Sequence, residues 1–281
     1  MKGVIIDKQQ EIDYNGMKVK VPMILLAILG ILRKKHKQKF DDVILITGEV
    51  GSAKSTMSQL IAGLWQYMNK KELTIENFTW SAQGIVDFID AEGNDNEAIV
   101  YDEAITGGTG RASLTKEGNM LKIGLVVGRR KRHLYIMIVD ELYEFSKKII
   151  SRASFLIDMR TLLVRGEKTR GYFKIYNEKQ LKDIYWLLKE QRIKYISEYN
   201  GRITPFYKFR DVTDIFINEE DYENEKIKQT RQQEKLGDRR EMALVKALGH
   251  LKKIGMSNEK IGKLIDYSTG QVGAILRSAD D

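Results

Sequence analysis

One short segment carries the residue types that bind phosphate. It is GEVGSAKS, residues 48–55, and it holds two glycines, a lysine and two serines. An apolar run, Val43–Thr47, precedes it, and residues 54–69 have the apolar spacing of a helix. A glycine-bearing loop between a strand and a helix turns successive backbone N–H groups inward, and the helix N-terminus adds about half a positive charge. The segment therefore predicts a phosphate-binding loop.

The spacing of this loop matches the Walker A motif, which assigns a role to each side chain. We expect Lys54 to contact the outer phosphates of ATP, Ser55 to place its hydroxyl on Mg²⁺, and Thr56 to lie near the α-phosphate. Ala53 stands where the motif usually has glycine, and we expect the methyl group to be tolerated at some risk to affinity. The predicted nucleotide-binding residues are Gly48, Glu49, Val50, Gly51, Ser52, Ala53, Lys54, Ser55 and Thr56.

A pair of carboxylates supplies the second half of the predicted site. The apolar run Ala98–Tyr101 ends in Asp102 and Glu103, and open α/β sheets bind ligands at the carboxyl ends of their strands. We expect Asp102 to hold Mg²⁺ together with Ser55, and Glu103 to orient or deprotonate the attacking water. A kinase of small molecules does not need the second carboxylate, whereas an enzyme that hydrolyses ATP does.

Another acidic pair competes for this role. Asp140 and Glu141 follow the apolar run at residues 133–139. The order along the chain favours the first pair, and the second then falls where related ATPases carry an uncharged polar sensor. The role of Asp140 stays open.

Several arginines follow the acidic pair, and an arginine from a neighbouring subunit stabilises transition-state charge in many such sites. Arg111, in a loop with three glycines, and Arg152 are the preferred candidates. A dense basic cluster fits DNA, a phosphate or a neighbour's ATP as well as it fits a solvated helix end. The members of this cluster that we predict to contact DNA are Arg129, Arg130, Lys131 and Arg132.

Composition limits the other classes of function. The 281 residues carry a formal net charge of +8, which favours polyanionic partners such as nucleic acid. The chain has no cysteine, which excludes disulfides and cysteine metal sites, and its three histidines are far apart in sequence. The longest apolar run, residues 21–32, is too short to span a bilayer and is followed by basic residues 33–39. It predicts a buried helix with a solvated end or, alternatively, a helix that docks on a membrane surface or a partner. With no signal peptide visible, we expect a cytoplasmic protein.

Strands alternate with helices from residue 41 to residue 210, which predicts an α/β fold with a mostly parallel central sheet and an antiparallel final strand pair. A stretch rich in acidic residues follows, and helical periodicity then returns. The predicted organisation is an N-terminal arm and helix at 1–40, an ATPase domain at 41–210, a charged linker at 211–236 and a small all-α module at 237–281.

The carboxy-terminal residues predict three short helices, Glu241–Ile254, Ser257–Ile265 and Thr269–Arg277. The last two and the turn between them resemble a helix-turn-helix of the sigma-factor or response-regulator sort. In that motif the second helix presents its N-terminal residues to base edges in the major groove. The predicted base contacts are therefore Thr269, Gln271 and Arg277, and the alternative is a three-helix module for protein interaction.

The order of GEVGSAKS, EAIVYDEA, the basic cluster and the strand HLYIMIV resembles the additional-strand, catalytic-glutamate branch of P-loop ATPases. Over about residues 40–176 the pattern is most similar to the FtsK/HerA group, which includes zonula-occludens-toxin-like and viral packaging ATPases. The resemblance implies ring assembly and movement of double-stranded DNA in packaging, transfer or segregation. An ATP-dependent regulator or loader in replication or transposition, and a non-catalytic ATP-binding interaction protein, are the alternatives. A membrane partner is not expected.

Overall fold

The computed structural model describes residues 5–38, 40–102, 125, 128–139, 142, 147–201, 204–210, 212, 214–231, 247–248, 251–252, 255–265 and 268–277. The chain divides into two compact units, residues 1–226 and residues 227–281. Within the described ranges, no helix has both the length and the hydropathy of a bilayer-spanning segment.

The strands of the first unit form one large sheet and one hairpin. In chain order they are β1 (Ile5–Ile6), β2 (Gln9–Tyr14), β3 (Met17–Pro22), β4 (Asp42–Gly48), β5 (Phe78–Thr79), β6 (Ala98–Asp102), β7 (Leu134–Ile138), β8 (Ala153–Val164), β9 (Glu167–Asn177) and β10 (Phe206–Lys208). The large sheet has eight strands in the order β1-β10-β9-β8-β4-β7-β6-β5. Strands β5, β6, β7, β4 and β8 run parallel, and β9 is antiparallel to both β8 and β10. The predicted α/β fold with a mostly parallel sheet is confirmed.

Strand β7 lies between the strand that enters the glycine loop and the strand that ends in the acidic pair. Ile138 of β7 is in register with Ile46 of β4 on one side and with Asp102 of β6 on the other. The carboxyl ends of all three strands therefore meet at one edge of the sheet.

Helices of the first unit cover both faces of the sheet. The helices whose bounds fall within the described residues are α1 (Met23–Lys37), α2 (Lys54–Met68), α3 (Ala82–Asp90), α4 (Lys147–Ile150), α5 (Glu178–Lys189) and α6 (residues 219–231), with α7 (Asn258–Ile265) and α8 (Thr269–Arg277) in the second unit. Because alternate strand residues point to opposite faces, the first unit has two apolar cores. Ile44 and Ile46 belong to the core under α1 and α2, whereas Val43 and Leu45 belong to the core under α3, α4 and α5.

Local sequence signals account for the turns of the first unit. Asn15 and Gly16 join β2 to β3 with φ angles of 51° and 82°, the left-handed pair that a two-residue hairpin turn requires. The apolar residues 155–159 and 162–164 each predict a strand, and both belong to one continuous strand, β8, with a register shift between Arg160 and Leu162. The sequence also predicts a helix over residues 114–131. Most of that range lies outside the described residues, and Gly128–Lys131 form a 3₁₀ turn.

Part of the predicted charged linker is an ordered element of the first unit. Phe216 and Tyr222 are buried in the same core as α1 and α2, and helix α6 begins at residue 219. The apolar side chains of this acidic segment, Ile215, Phe216, Ile217 and Tyr222, supply the area that fixes it to the protein surface. Residues 214–226 of the predicted linker therefore pack against the first unit.

The second unit contains helices α7 and α8 and a small core. Leu248, Ile261 and Val272 are buried against one another. Ser257 caps α7 by accepting a hydrogen bond from the backbone N–H of Lys260 at 3.3 Å. Ser268 and Gln271 form a reciprocal capping pair at the start of α8, with distances of 2.8 and 3.2 Å.

Candidate nucleotide-binding site

The glycine loop has a backbone that only certain residues can adopt. Strand β4 ends at Gly48, whose φ is +146°, and Gly51 has a φ of +76°. A Cβ atom on Gly48 would overlap the backbone carbonyl of Met159 on the neighbouring strand β8. Glycine at position 48 is therefore required both by the backbone angle and by the close approach of another strand.

Ala53 takes the left-handed conformation, with φ 74° and ψ 40°, immediately before α2 begins at Lys54. This is the position where the motif usually has glycine, and the backbone angles explain that preference. The alanine side chain offers no hydrogen-bond acceptor to the first turn of α2. The side chain of residue 53 therefore leaves the N–H groups of that turn uncapped. Uncapped N–H groups at a helix N-terminus are the donors that bind an anion.

The side chain of Lys54 folds back over the loop. Its Nζ donates to the carbonyl of Gly48 at 2.8 Å and to the carbonyl of Glu49 at 3.2 Å. Val50, at the tip of the loop, is 89% exposed, so the loop opens to solvent. The ammonium group is therefore held directly above the backbone that is predicted to cradle phosphate.

The predicted metal ligands lie side by side. Ser55 Oγ donates a hydrogen bond to Asp102 Oδ2 at 3.2 Å, across the edge of the intervening strand β7. Asp102 is only 5% exposed. A hydroxyl and a carboxylate at the mouth of a phosphate-binding loop are the oxygen donors that Mg²⁺ takes in nucleotide sites. The donor set present at this edge therefore fits Mg²⁺.

Two residues that sequence reasoning missed also bind this carboxylate. The hydroxyl of Tyr222 donates to Asp102 Oδ2 at 2.6 Å, and Lys226 Nζ lies 2.9 Å from the same oxygen. Burial and the nearby Asp102 raise the pKa of Tyr222, which keeps its hydroxyl protonated and able to donate. The sequence signal for this docking is the aromatic pair Phe216 and Tyr222 in an acidic, otherwise polar stretch.

A second charged group lies beside the loop on strand β8. Arg160 Nε pairs with Asp158 Oδ2 at 2.8 Å, and Arg160 Nη1 is 3.8 Å from Glu49 Oε1. Burial raises the pKa of Asp158 to about 6, although Arg160 acts in the opposite direction. Arg160 therefore links a buried carboxylate to the first residue after Gly48, and no motif in the sequence indicates this link.

The predicted catalytic residues other than Lys54 are placed as follows. Glu103 and Arg111 lie outside the described residues, as do Asp140 and Glu141. Arg152 Nη2 pairs with Asp41 Oδ2 at 2.6 Å and also donates to the carbonyl of Leu125 at 3.1 Å. The guanidinium group is thus engaged within its own chain.

The predicted DNA contacts fall into two groups. Arg129 and Arg130 are exposed, whereas Lys131 donates to the carbonyl of Ala91 at 2.6 Å, and the carbonyl of Arg132 accepts from His36 Nδ1 at 2.8 Å. In the second unit Thr269 and Gln271 are exposed at the start of α8, and the side chain of Arg277 lies outside the described residues. No cluster of three or more histidine, aspartate or glutamate side chains suited to a metal ion occurs among the described residues.

Comparison with known proteins gives little beyond this geometry. No family model matches the chain, and no curated protein matches it. Among solved structures, the chain is similar to the genome packaging NTPase B204 from Sulfolobus turreted icosahedral virus 2 in complex with AMP. The identity is 13%, the TM-score is 0.28, and the match covers 50% of this chain and 94% of that one.

Proposed function

We propose that the chain is an ATPase of the additional-strand, catalytic-glutamate branch, within or near the FtsK/HerA group, and that it couples ATP hydrolysis to movement of double-stranded DNA. One observation carries the proposal. The hydroxyl of Ser55, next to Lys54 at the end of the glycine loop, lies 3.2 Å from the carboxylate of Asp102, one strand away. A strand, a loop of this conformation and an acidic strand end converge at the same edge, as a site for a metal-bound triphosphate requires.

The residues of the chain divide the work. Lys54 exchanges the carbonyls of Gly48 and Glu49 for phosphate oxygens, and the N–H groups of the loop and of α2 hold the remaining oxygens. Ser55 and Asp102 would hold Mg²⁺. When bound, Mg²⁺ neutralises the charge that develops on the transferred phosphoryl group. Glu103, the next residue after Asp102, takes a proton from the attacking water.

The DNA part of the proposal rests on different features. The net charge of +8 favours a polyanion, and Arg129 and Arg130 are exposed beside the sheet. The second unit has two consecutive capped helices, α7 and α8, with polar side chains exposed at the start of α8. This arrangement supports a helix-turn-helix in which α8 enters the major groove. A ring of several copies would supply an arginine to each neighbouring site.

Phosphate release from ATP and Mg²⁺, with and without duplex DNA, tests the proposal. The wild type should turn over and be stimulated by DNA, and Glu103→Gln should lower turnover by about 100-fold or more because it removes the base. A wild type no faster than Glu103→Gln would leave only a non-catalytic ATP-binding role. ATP-dependent DNA binding without translocation would instead favour a loader or regulator.

Deletion of residues 237–281 tests the assignment of the DNA-binding element. We expect the full chain to bind duplex DNA with an affinity that falls as the salt concentration rises, because binding of the protein releases counterions from the DNA. The deletion should remove most of that affinity. Binding that persists unchanged after the deletion would overturn the helix-turn-helix assignment.

A further inference from the structure

The buried oxygen Oδ2 of Asp102 receives three donors from different parts of the chain. Ser55 Oγ lies at 3.2 Å, Tyr222 Oη at 2.6 Å and Lys226 Nζ at 2.9 Å. The first donor belongs to the predicted metal site, whereas the other two belong to helix α6. A carboxylate predicted to hold a divalent cation is thus already paired with an ammonium group.

The pairing is part of a docked segment and does not depend on one flexible side chain. Tyr222 is 1% exposed, and its ring packs against Phe78 at a centroid distance of 5.3 Å and against Trp80 at 5.5 Å. Earlier in the segment, Phe216 packs on Tyr14 at a centroid distance of 4.6 Å. Phe216 also lies so close to Gly63 that a Cβ atom on Gly63 would overlap the phenylalanine ring. Residues 214–226 therefore lie across α2 and end at the mouth of the glycine loop.

We propose that residues 214–226 form a latch that competes with Mg²⁺ and nucleotide for Asp102. The latch is closed when Lys226 Nζ and Tyr222 Oη occupy Asp102 Oδ2. Binding of Mg²⁺ and ATP requires the same oxygen, because Asp102 and Ser55 then hold the metal directly or through water. This inference rests on the proposed nucleotide site and adds a regulatory state to it.

Electrostatics and exposure together make the exchange feasible. Lys226 Nζ lies 2.9 Å from Asp102 Oδ2. A divalent cation on the same oxygen would lie close to this ammonium group, and the two positive charges would repel each other strongly. The Lys226 side chain is 25% exposed, so it moves into water without crossing the core. In the closed state the Lys226 ammonium group thus neutralises the buried carboxylate of Asp102 while no metal is bound. Opening of the latch exposes Phe216 and Ile217.

The affinity of the full-length chain for a nonhydrolysable ATP analogue, titrated with Mg²⁺, tests the competition. Lys226→Ala should lower the Mg²⁺ concentration needed for half-maximal binding by about 10-fold, because the closed state loses its cation. Lys226→Arg keeps the cation and should behave like the wild type. Lys179→Ala, which changes an exposed lysine on α5, is the control and should leave the Mg²⁺ requirement unchanged.

A second readout reports movement of the segment itself. The natural sequence has no cysteine, so Ile217→Cys introduces a single thiol at a buried position of the latch. Its reaction with a thiol reagent should speed up by about 10-fold or more when Mg²⁺ and the analogue are added together, as expected for local opening. Ala62→Cys places a thiol at a buried position of α2 and should stay protected in both conditions.

The outcomes separate this inference from the proposed function. Weaker analogue binding by Lys226→Ala would show that Lys226 serves the nucleotide, and would overturn the latch. So would tight binding by the wild type with no change in the reactivity of Ile217→Cys. If neither the wild type nor any variant binds the analogue, the nucleotide site itself is wrong and the latch falls with it.

Discussion

The ammonium group of Lys226 lies 2.9 Å from Oδ2 of Asp102, although the two residues are 124 positions apart in the sequence. The same oxygen faces Ser55 at the start of α2. A segment late in the first unit thus reaches the edge of the sheet where β4 and β6 end. Under the latch that we propose, this contact couples the position of helix α6 to binding of Mg²⁺ at Asp102.

The left-handed backbone of Ala53 predicts an unusual stabilising substitution. Replacing this alanine by glycine should raise the free energy of unfolding by about 1 kcal/mol, because glycine adopts φ 74° without the steric cost of a Cβ atom. Thermal or denaturant unfolding measures the change. Ala62→Gly, in the middle of α2, is the control and should lower stability by about 1 kcal/mol. Destabilisation by Ala53→Gly would contradict the backbone angles of the loop.

Gly48 should not accept any side chain. We expect Gly48→Ala to lower the free energy of unfolding by roughly 2–4 kcal/mol and to weaken nucleotide binding, since its methyl group meets the carbonyl of Met159. Gly93→Ala is a matched control, because Gly93 also has a positive φ but its Cβ would have no neighbour within 4 Å. That variant should lose only about 1 kcal/mol. Equal losses at the two positions would mean that the close approach of β8 to Gly48 is unimportant.

Stability should depend on pH through a buried histidine. His133 packs edge-on to the rings of Phe88 and Tyr135, and burial lowers its pKa to about 4. The unfolded chain binds a proton near pH 6.5, whereas the folded chain does so only near pH 4, so stability falls as the pH drops between these values. The loss should reach roughly 3 kcal/mol at pH 4.

Urea unfolding of the wild type and of His133→Asn between pH 7.5 and pH 4 measures this effect. The asparagine does not titrate, so the variant should lose less stability on acidification than the wild type does. Other groups contribute equally to both proteins. Parallel curves for the two proteins would show that His133 binds a proton as readily in the folded chain as in the unfolded chain.

Substitution of Arg152 should lower the free energy of unfolding, because its guanidinium group is engaged within the fold. Its guanidinium is 2.6 Å from Asp41, whose side chain is only 8% exposed, so Arg152→Ala leaves a buried carboxylate without its partner. We expect a loss of about 2 kcal/mol, less than for a fully buried pair because Arg152 is partly exposed. Calorimetry measures the loss. An unchanged unfolding temperature together with lost turnover would instead support a role for Arg152 at a neighbour's site.

Elements with strong local signals could be predicted from the sequence. The run Val43–Thr47, the glycines of the loop and the apolar spacing of α2 are all local, and each specifies its own conformation without help from the rest of the chain. The turn at Asn15-Gly16 is equally local. The position of Asp102 at the end of a buried strand could also be predicted from the sequence. The fold class followed from the alternation of such elements.

Features that depend on contacts between distant residues could not be predicted. Residues 214–226 are rich in acidic side chains, and their docking depends on contacts of Phe216 with α2 and of Tyr222 with β5. No local pattern in the sequence indicates these contacts, and the sequence therefore predicts a linker at this place. The pairing of Arg152 with Asp41, 111 positions away, is of the same kind. Periodicity predicts which side chains are buried and does not predict their partners.

Binding of a nonhydrolysable ATP analogue in the presence of Mg²⁺, measured by calorimetry on the full-length chain, tests the central claim most directly. The wild type should bind one analogue per chain. Lys54→Ala should bind about 100-fold more weakly, because it removes a charge-assisted contact to phosphate. Lys179→Ala, which changes an exposed lysine on α5, should bind like the wild type. Equal affinities for wild type and Lys54→Ala, or no binding by either, would contradict a nucleotide site at residues 48–55.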